Sequence, residues 1–261
     1  MVAILSSQRE VILDAVQAMY TAVATTPDRG FHFPTGRPAC EFVGYPREQL
    51  DALPPTAVES FAGVGYPFAA GAIGQGDVVL DVGSGSGTDA LIASRLVGPT
   101  GRVYGLDMTE AMRVKLSANV NRAGVTNVEI LNANAESIPL PAESVDVVTS
   151  NGVLNLVPDK PRAFAEIFRV LRRGGRVQIA DIVLASEPSD ACRSQPALWA
   201  ECIVGATTES AFLELFGATG FTEVEVLSRL DYFDGSASAE TRKVAGSFGA
   251  RTAVIRGTKP R

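Results

Sequence analysis

From residue 77 onward the chain alternates short apolar runs with longer amphipathic stretches. The runs at 77–82, 102–107, 127–131, 144–150 and 175–183 are rich in Val, Ile and Leu. Such runs predict strands buried on both faces. Between them, 87–97, 109–123 and 159–173 place apolar residues along one helical face, the last ending at Gly174-Gly175. This regular alternation predicts an α/β fold with a mostly parallel sheet and helices on both faces. Two later runs, 221–229 and 252–258, complete seven strands as an antiparallel pair. Residues 188–217 break the rhythm with a helical pair, near 196–205 and 208–217. An insertion there lies over the carboxyl ends of the strands, where open α/β sheets bind ligands.

The pattern differs before residue 76. Val11, Ile12, Ala15, Met19 and Val23 suit one amphipathic helix over 10–24. Residues 27–44 are rich in Gly, Pro and aromatics and read as irregular. Short helices are predicted near 47–52 and 56–61, then a turn at Gly63-Val64-Gly65-Tyr66-Pro67. Residues 1–75 read as an N-terminal cap or lid, and 76–261 as the main domain.

Composition narrows the function. The chain has 261 residues, 46% of them hydrophobic, enough for a full core without disulfides. The net charge is −6 with no basic tail, which argues against nucleic acid as a partner. The one basic cluster, Arg169, Arg172, Arg173 and Arg176, falls at the predicted end of the 159–173 helix, where cations complement the helix dipole. No apolar stretch is long enough to span a bilayer, and no signal peptide is evident. Cys40, Cys192 and Cys202 form neither a zinc motif nor a disulfide framework. No metal, a cytoplasmic setting, and a monomer or homodimer are the expectations.

The 78–82 run carries Asp81 next to its last residue and leads into Gly83-Ser84-Gly85-Ser86-Gly87. Glycines let backbone approach a ligand closely at a helix N-terminus. Position 88 is Thr, so the spacing is not the G-x-G-x-x-G of dinucleotide sites, which argues against a nicotinamide-dependent dehydrogenase. The G-x-G-x-G form after an acidic residue resembles motif I of S-adenosylmethionine-dependent methyltransferases of the Rossmann-like class. The next strand ends at Asp107, 20 residues after Gly87, placed to accept hydrogen bonds from ribose hydroxyls. Met108 follows, placed against an adenine face. In the family, the pair Ala135-Glu136 lies beside the adenine edge.

A more specific match runs through Ser150-Asn151-Gly152-Val153-Leu154-Asn155, Glu166-Ile167-Phe168-Arg169-Val170-Leu171, Ala180-Asp181-Ile182-Val183 and Leu198-Trp199-Ala200-Glu201-Cys202. With Phe61 to Pro67, these stretches resemble the arsenite methyltransferase family over roughly residues 60–230. The resemblance implies a class I methyltransferase fold, S-adenosylmethionine as methyl donor and S-adenosylhomocysteine as product. The family holds trivalent arsenic with three cysteine thiolates. At the matching positions this chain has Val64, Gly152 and Cys202, so two of the three are missing. One thiolate does not replace three for a thiophilic ion.

Three readings follow. The chain methylates a small acceptor other than arsenite, with a soft sulfur or selenium nucleophile favoured and an amine, hydroxyl or carbon acid open. Or it methylates trivalent arsenic with Cys202 and added small thiols. Or it binds S-adenosylmethionine without turnover. Asn151, at the end of the fourth strand, is placed to contact cofactor or acceptor. His32 is the single histidine; it reads as a general base, a lid residue near the cofactor, or a packed side chain. Gly152, Trp199, Glu201, Cys202 and Tyr66 are the candidate acceptor pocket.

Overall fold

The computed structural model describes residues 6–188, 199 and 203–261. Seven strands form one sheet: β1 (Val78–Val82), β2 (Arg102–Asp107), β3 (Val128–Asn132), β4 (Val145–Asn151), β5 (Leu171–Val183), β6 (Thr222–Leu230) and β7 (Arg251–Thr258). Their order across the sheet is β3-β2-β1-β4-β5-β7-β6. The pairs β1–β2, β1–β4, β2–β3 and β4–β5 are parallel, and β7 runs antiparallel to both β5 and β6. The fold is the mostly parallel Rossmann-like α/β sheet that the sequence predicts. The order reverses between β1 and β4, which opens a crevice beyond their carboxyl ends.

Alternation along the strands explains the layers. Val79 of β1 joins one apolar cluster and Leu80 the other, because successive strand side chains point to opposite faces. The first cluster holds α5 (Thr88–Val97) and α6 (Glu110–Ala123), through Leu91, Met112 and Leu116. It also holds the cap residues Ile12, Cys40 and Leu50, so the N-terminal segment shares the domain's core. The second holds α7 (Lys160–Val170) and α8 (Glu209–Thr219). Phe164 of α7 meets Phe216 of α8 edge to face with ring centroids 4.9 Å apart, the favourable aromatic geometry.

Local signals fix the helix ends. Asp159 caps α7, its side chain accepting from the Arg162 amide, with Pro161 in the first turn. Gly124 ends α6 at φ +65°. The helix predicted over 159–173 stops earlier: the chain passes straight from Val170 into β5, which contains Gly174-Gly175. The basic cluster is corrected with it, except for Arg169, which does sit in the last turn of α7. Arg172 pairs with Asp146, Arg173 with Glu143 and Arg176 with Asp77, so these cations meet carboxylates rather than a helix dipole.

The cap is α1 (Ser6–Thr25), α2 (Gly36–Phe42), α3 (Arg47–Asp51) and α4 (Pro55–Val58). Helix α2 falls in the stretch that reads as irregular, because its seven residues are too few for a periodicity. Helix α9 (Ala239–Phe248), between β6 and β7, likewise has no counterpart in the sequence reading. Hydroxyls of Ser86 and Thr88 both donate to the Ala57 carbonyl, at 2.6 and 2.9 Å, and tie α4 to the start of α5. The predicted 196–205 helix lies largely outside the described residues, as do Cys192, Glu201 and Cys202. No described helix is long and apolar enough to cross a membrane.

Candidate functional site

The glycine turn after β1 is shaped by two close approaches. The Gly83 and Ser84 amides donate to the Leu106 carbonyl at 2.7 and 3.0 Å, which binds the turn to the end of β2. Gly83 and Gly87 have φ of +72° and +100°, values that suit glycine. A Cβ on Gly83 would strike Val153, and one on Gly87 would strike Leu116. The turn faces a cleft of about 960 Å³, including its solvent-open part, at the carboxyl ends of β1, β2 and β4.

Three carboxylates line the cleft, one at or after the end of each of β1, β2 and β3. Asp107, at the end of β2, accepts from the Gly85 amide at 2.9 Å and the Thr109 amide at 2.8 Å. Burial raises its pKa against these hydrogen bonds. Glu136 is 1% exposed, pairs with Arg9 of α1 and accepts from the Asp159 amide at 3.0 Å. Asp89, in the first turn of α5, accepts from the Tyr45 hydroxyl and from the Asn151 amide at 3.0 Å. Burial pushes Asp89 up to about 6, with the Tyr45 and Asn151 hydrogen bonds acting the other way. Burial also lifts Asp81 well above the carboxylate range, helped by Asp89 and Asp107.

Asn151 links three segments. Its oxygen accepts from the Val64 amide at 2.8 Å and the Gly65 amide at 3.2 Å. Its nitrogen lies 2.9 Å from the Tyr45 hydroxyl, 2.9 Å from the Gly65 carbonyl and 3.0 Å from Asp89. The cap loop, α5 and β4 therefore meet at one side chain.

The structure brings most of the sequence-predicted residues to this cleft. Gly83, Ser84, Gly85, Asp107, Met108, Ala135, Glu136, Asn151 and Gly152 line it. Asp81 is buried behind it, and Gly87 serves by packing on Leu116. His32 does not line the cleft: its ring packs edge-on to Phe33, 4.6 Å between centroids, and its carbonyl accepts from Ser236. Tyr66 does not line it either; it exchanges hydrogen bonds with Gln49 and packs on Tyr45. Trp199 is buried with its indole N–H donating to the Leu156 carbonyl at 2.9 Å, supporting the loop after β4 from outside the cleft.

Residues absent from the sequence reading also appear. Leu13, Val16 and Tyr20 of α1 form a wall of the cleft, as does Asn134, whose side chain accepts from the Glu136 amide at 3.0 Å. Asp89 and Tyr45 are further additions. The helix was visible from its periodicity, but the face expected at Val11, Ile12, Ala15, Met19 and Val23 is not the cleft wall, and Val11 is exposed.

The loop after β4 meets the cap turn at one decisive contact. Gly152, at φ +72°, has no side chain, and a Cβ built there would lie 3.1 Å from Cγ1 of Val64. Val64 is buried. The two positions at which the sequence lacks expected cysteines are therefore neighbours, close enough that a side chain at 152 would touch Val64.

Comparison with known proteins places the chain. A family model described as a methyltransferase domain matches residues 73–220. The arsenic(III) S-adenosylmethionine methyltransferase of Chlamydomonas reinhardtii superposes with a TM-score of 0.69 at 33% identity, over 82% of this chain and 73% of that one. The chain belongs to the class I methyltransferase family, of the arsenite methyltransferase type. The arsenite methyltransferase of Halobacterium salinarum is 41% identical over 164 residues, which is 63% of this methyltransferase and 42% of that protein. The mouse arsenite methyltransferase is 39% identical over 137 residues, 49% of this methyltransferase and 36% of that protein. This methyltransferase thus spans about two fifths of the curated relatives it matches.

Proposed function

We propose that this methyltransferase binds S-adenosylmethionine in the cleft and methylates a small acceptor other than arsenite, with a soft sulfur or selenium nucleophile favoured. S-Adenosylmethionine, when bound, supplies an electrophilic methyl group on a sulfonium. The residues present fit it. Asp107 retains lone pairs for ribose hydroxyls beyond the two it gives to amides. Met108 and Met112 offer an apolar wall for a base, with Asn134 as a polar edge. Ser84 is 6% exposed and lines the cleft, and its Oγ has no hydrogen-bond partner among the described residues.

The observation that carries the acceptor reading is the contact of Val64 with Gly152. Valine methyls fill the volume at one of the two thiolate positions implied by the family resemblance, and the other has no side chain. That surface suits an apolar neighbour and offers a thiophilic ion no thiolate. The chain's contribution to transfer is then to hold the acceptor in line and to exclude water. A thiol or selenol needs little help in losing its proton, which agrees with His32 lying away from the cleft. Methyl transfer from a sulfonium requires no metal.

A second reading, methylation of trivalent arsenic with Cys202 and added small thiols, is favoured by the 41% identity to the Halobacterium arsenite methyltransferase. S-Adenosylhomocysteine release separates the two. Arsenite and methylarsenite, each with glutathione, are compared with small thiols, selenols and amines free of arsenic. Turnover on an organic acceptor with inert arsenicals is the expected result. Turnover confined to arsenicals would establish the second reading instead.

A further inference from the structure

Asp89 differs from the other carboxylates of the cleft. Glu136 is neutralised by Arg9, and Asp107 is engaged by two backbone amides with Arg113 acting on it. Asp89 is 6% exposed, and its donors, the Tyr45 hydroxyl and the Asn151 amide, are neutral. Among the described residues no cation pairs with it.

Its neighbours add to the imbalance. The charges of Asp89 and Asp107 press on Asp81. Cys40, Tyr45 and Tyr66 face Asp89 from the cap, and each is pushed further from ionisation by it. Among the described residues, two oxygens beside the turn have no hydrogen-bond partner, Asp81 Oδ2 and Ser84 Oγ, at residues 2% and 6% exposed. A buried carboxylate without a counter-charge is costly for a fold to keep. Here it is held in place by Tyr45, Asn151 and the N-terminal turn of α5.

We propose that Asp89 is the counter-charge for an aliphatic cation in the cleft, the methionine arm of S-adenosylmethionine with its ammonium and sulfonium groups. The proposal rests on the cofactor reading above.

The test is calorimetric binding, without acceptor, of S-adenosylmethionine, S-adenosylhomocysteine and 5′-methylthioadenosine. The last of these lacks both cationic groups. Asp89→Asn should weaken S-adenosylmethionine by on the order of thirtyfold, S-adenosylhomocysteine by less, and 5′-methylthioadenosine hardly at all. Wild-type affinity for S-adenosylmethionine should fall as pH drops through about 6, where Asp89 takes up a proton. Tyr45→Phe removes a hydrogen bond that favours ionised Asp89, so it should move that pH midpoint upward. Equal loss of all three ligands in Asp89→Asn, or an unmoved midpoint in Tyr45→Phe, would overturn the proposal. So would unchanged cofactor affinity in Asp89→Asn with loss of turnover only on amine acceptors. Wild-type protein that bound neither cofactor form would instead remove the cofactor reading, and this proposal with it.

Discussion

Two loops leave the carboxyl edge of the sheet side by side, the glycine turn after β1 and the loop after β4. In the first, polar groups line the cleft: the Asp107 carboxylate at the neighbouring strand end, the Ser84 hydroxyl and the Asp89 carboxylate. In the second, Gly152 meets Val64, and Trp199 and Asp181 brace the backbone from behind. One side keeps the groups that a charged, hydroxylated ligand needs. The other carries a valine and a bare backbone where the family resemblance implies thiolates. On the proposed reading the first is the donor side and the second the acceptor side, and because different junctions supply them one can change while the other is kept.

The comparison is broken most severely on the donor side. Asp107→Ala should weaken S-adenosylmethionine binding by roughly a hundredfold, from loss of charge-assisted hydrogen bonds to two hydroxyls. It should also lower the melting temperature, since the Gly85 and Thr109 amides lose their acceptor at a cost of about 2 kcal/mol. Isothermal titration and thermal unfolding read the two effects. Unchanged affinity would remove the ribose assignment.

On the acceptor side the sharpest change is a gain. Val64→Cys combined with Gly152→Cys brings two thiols into contact and, with Cys202, supplies the three that the family resemblance calls for. Trivalent arsenic should then bind at least tenfold more tightly than to wild type, within the limits set by a cysteine at φ +72°. No gain by fluorescence or calorimetric titration would mean that the third ligand is not within reach.

A smaller effect comes from pH. Asp181, fully buried under Leu154 and Asn155, is pushed up to about 7 by burial, above an ordinary value of 3.8. A carboxyl with a raised folded pKa holds its proton better folded than unfolded. Its contribution to stability is therefore complete below about pH 4 and is lost as pH rises through about 7. Denaturant unfolding at several pH values should show this decline in wild type and a shallower one in Asp181→Asn. The smallest expected effect is that of Cys202→Ser, which should leave turnover on an organic acceptor nearly intact. Complete loss would revive a thiolate mechanism.

The strands and their order class were legible because each is a short apolar run between turn residues. The end of α7 was not, since Leu171 to Arg173 continue a helical pattern that pairing with β4 overrides. The glycine turn, Asp107 and Asn151 were legible from spacing. Asp89 and Asn134 were not, because each is one polar residue whose role depends on what packs opposite. Tyr45 and the α1 wall depend on how the cap folds back, 44 residues in sequence from Asp89 in the case of Tyr45. His32 drew notice for its titration range, but its ring lies against Phe33.

The most direct measurement titrates one preparation first with S-adenosylmethionine and then, in the presence of glutathione, with arsenite and methylarsenite. Saturable binding of the cofactor with no stoichiometric uptake of either arsenical is the predicted result. Stoichiometric arsenical binding by the unaltered chain would contradict the claim that its acceptor half has been refitted.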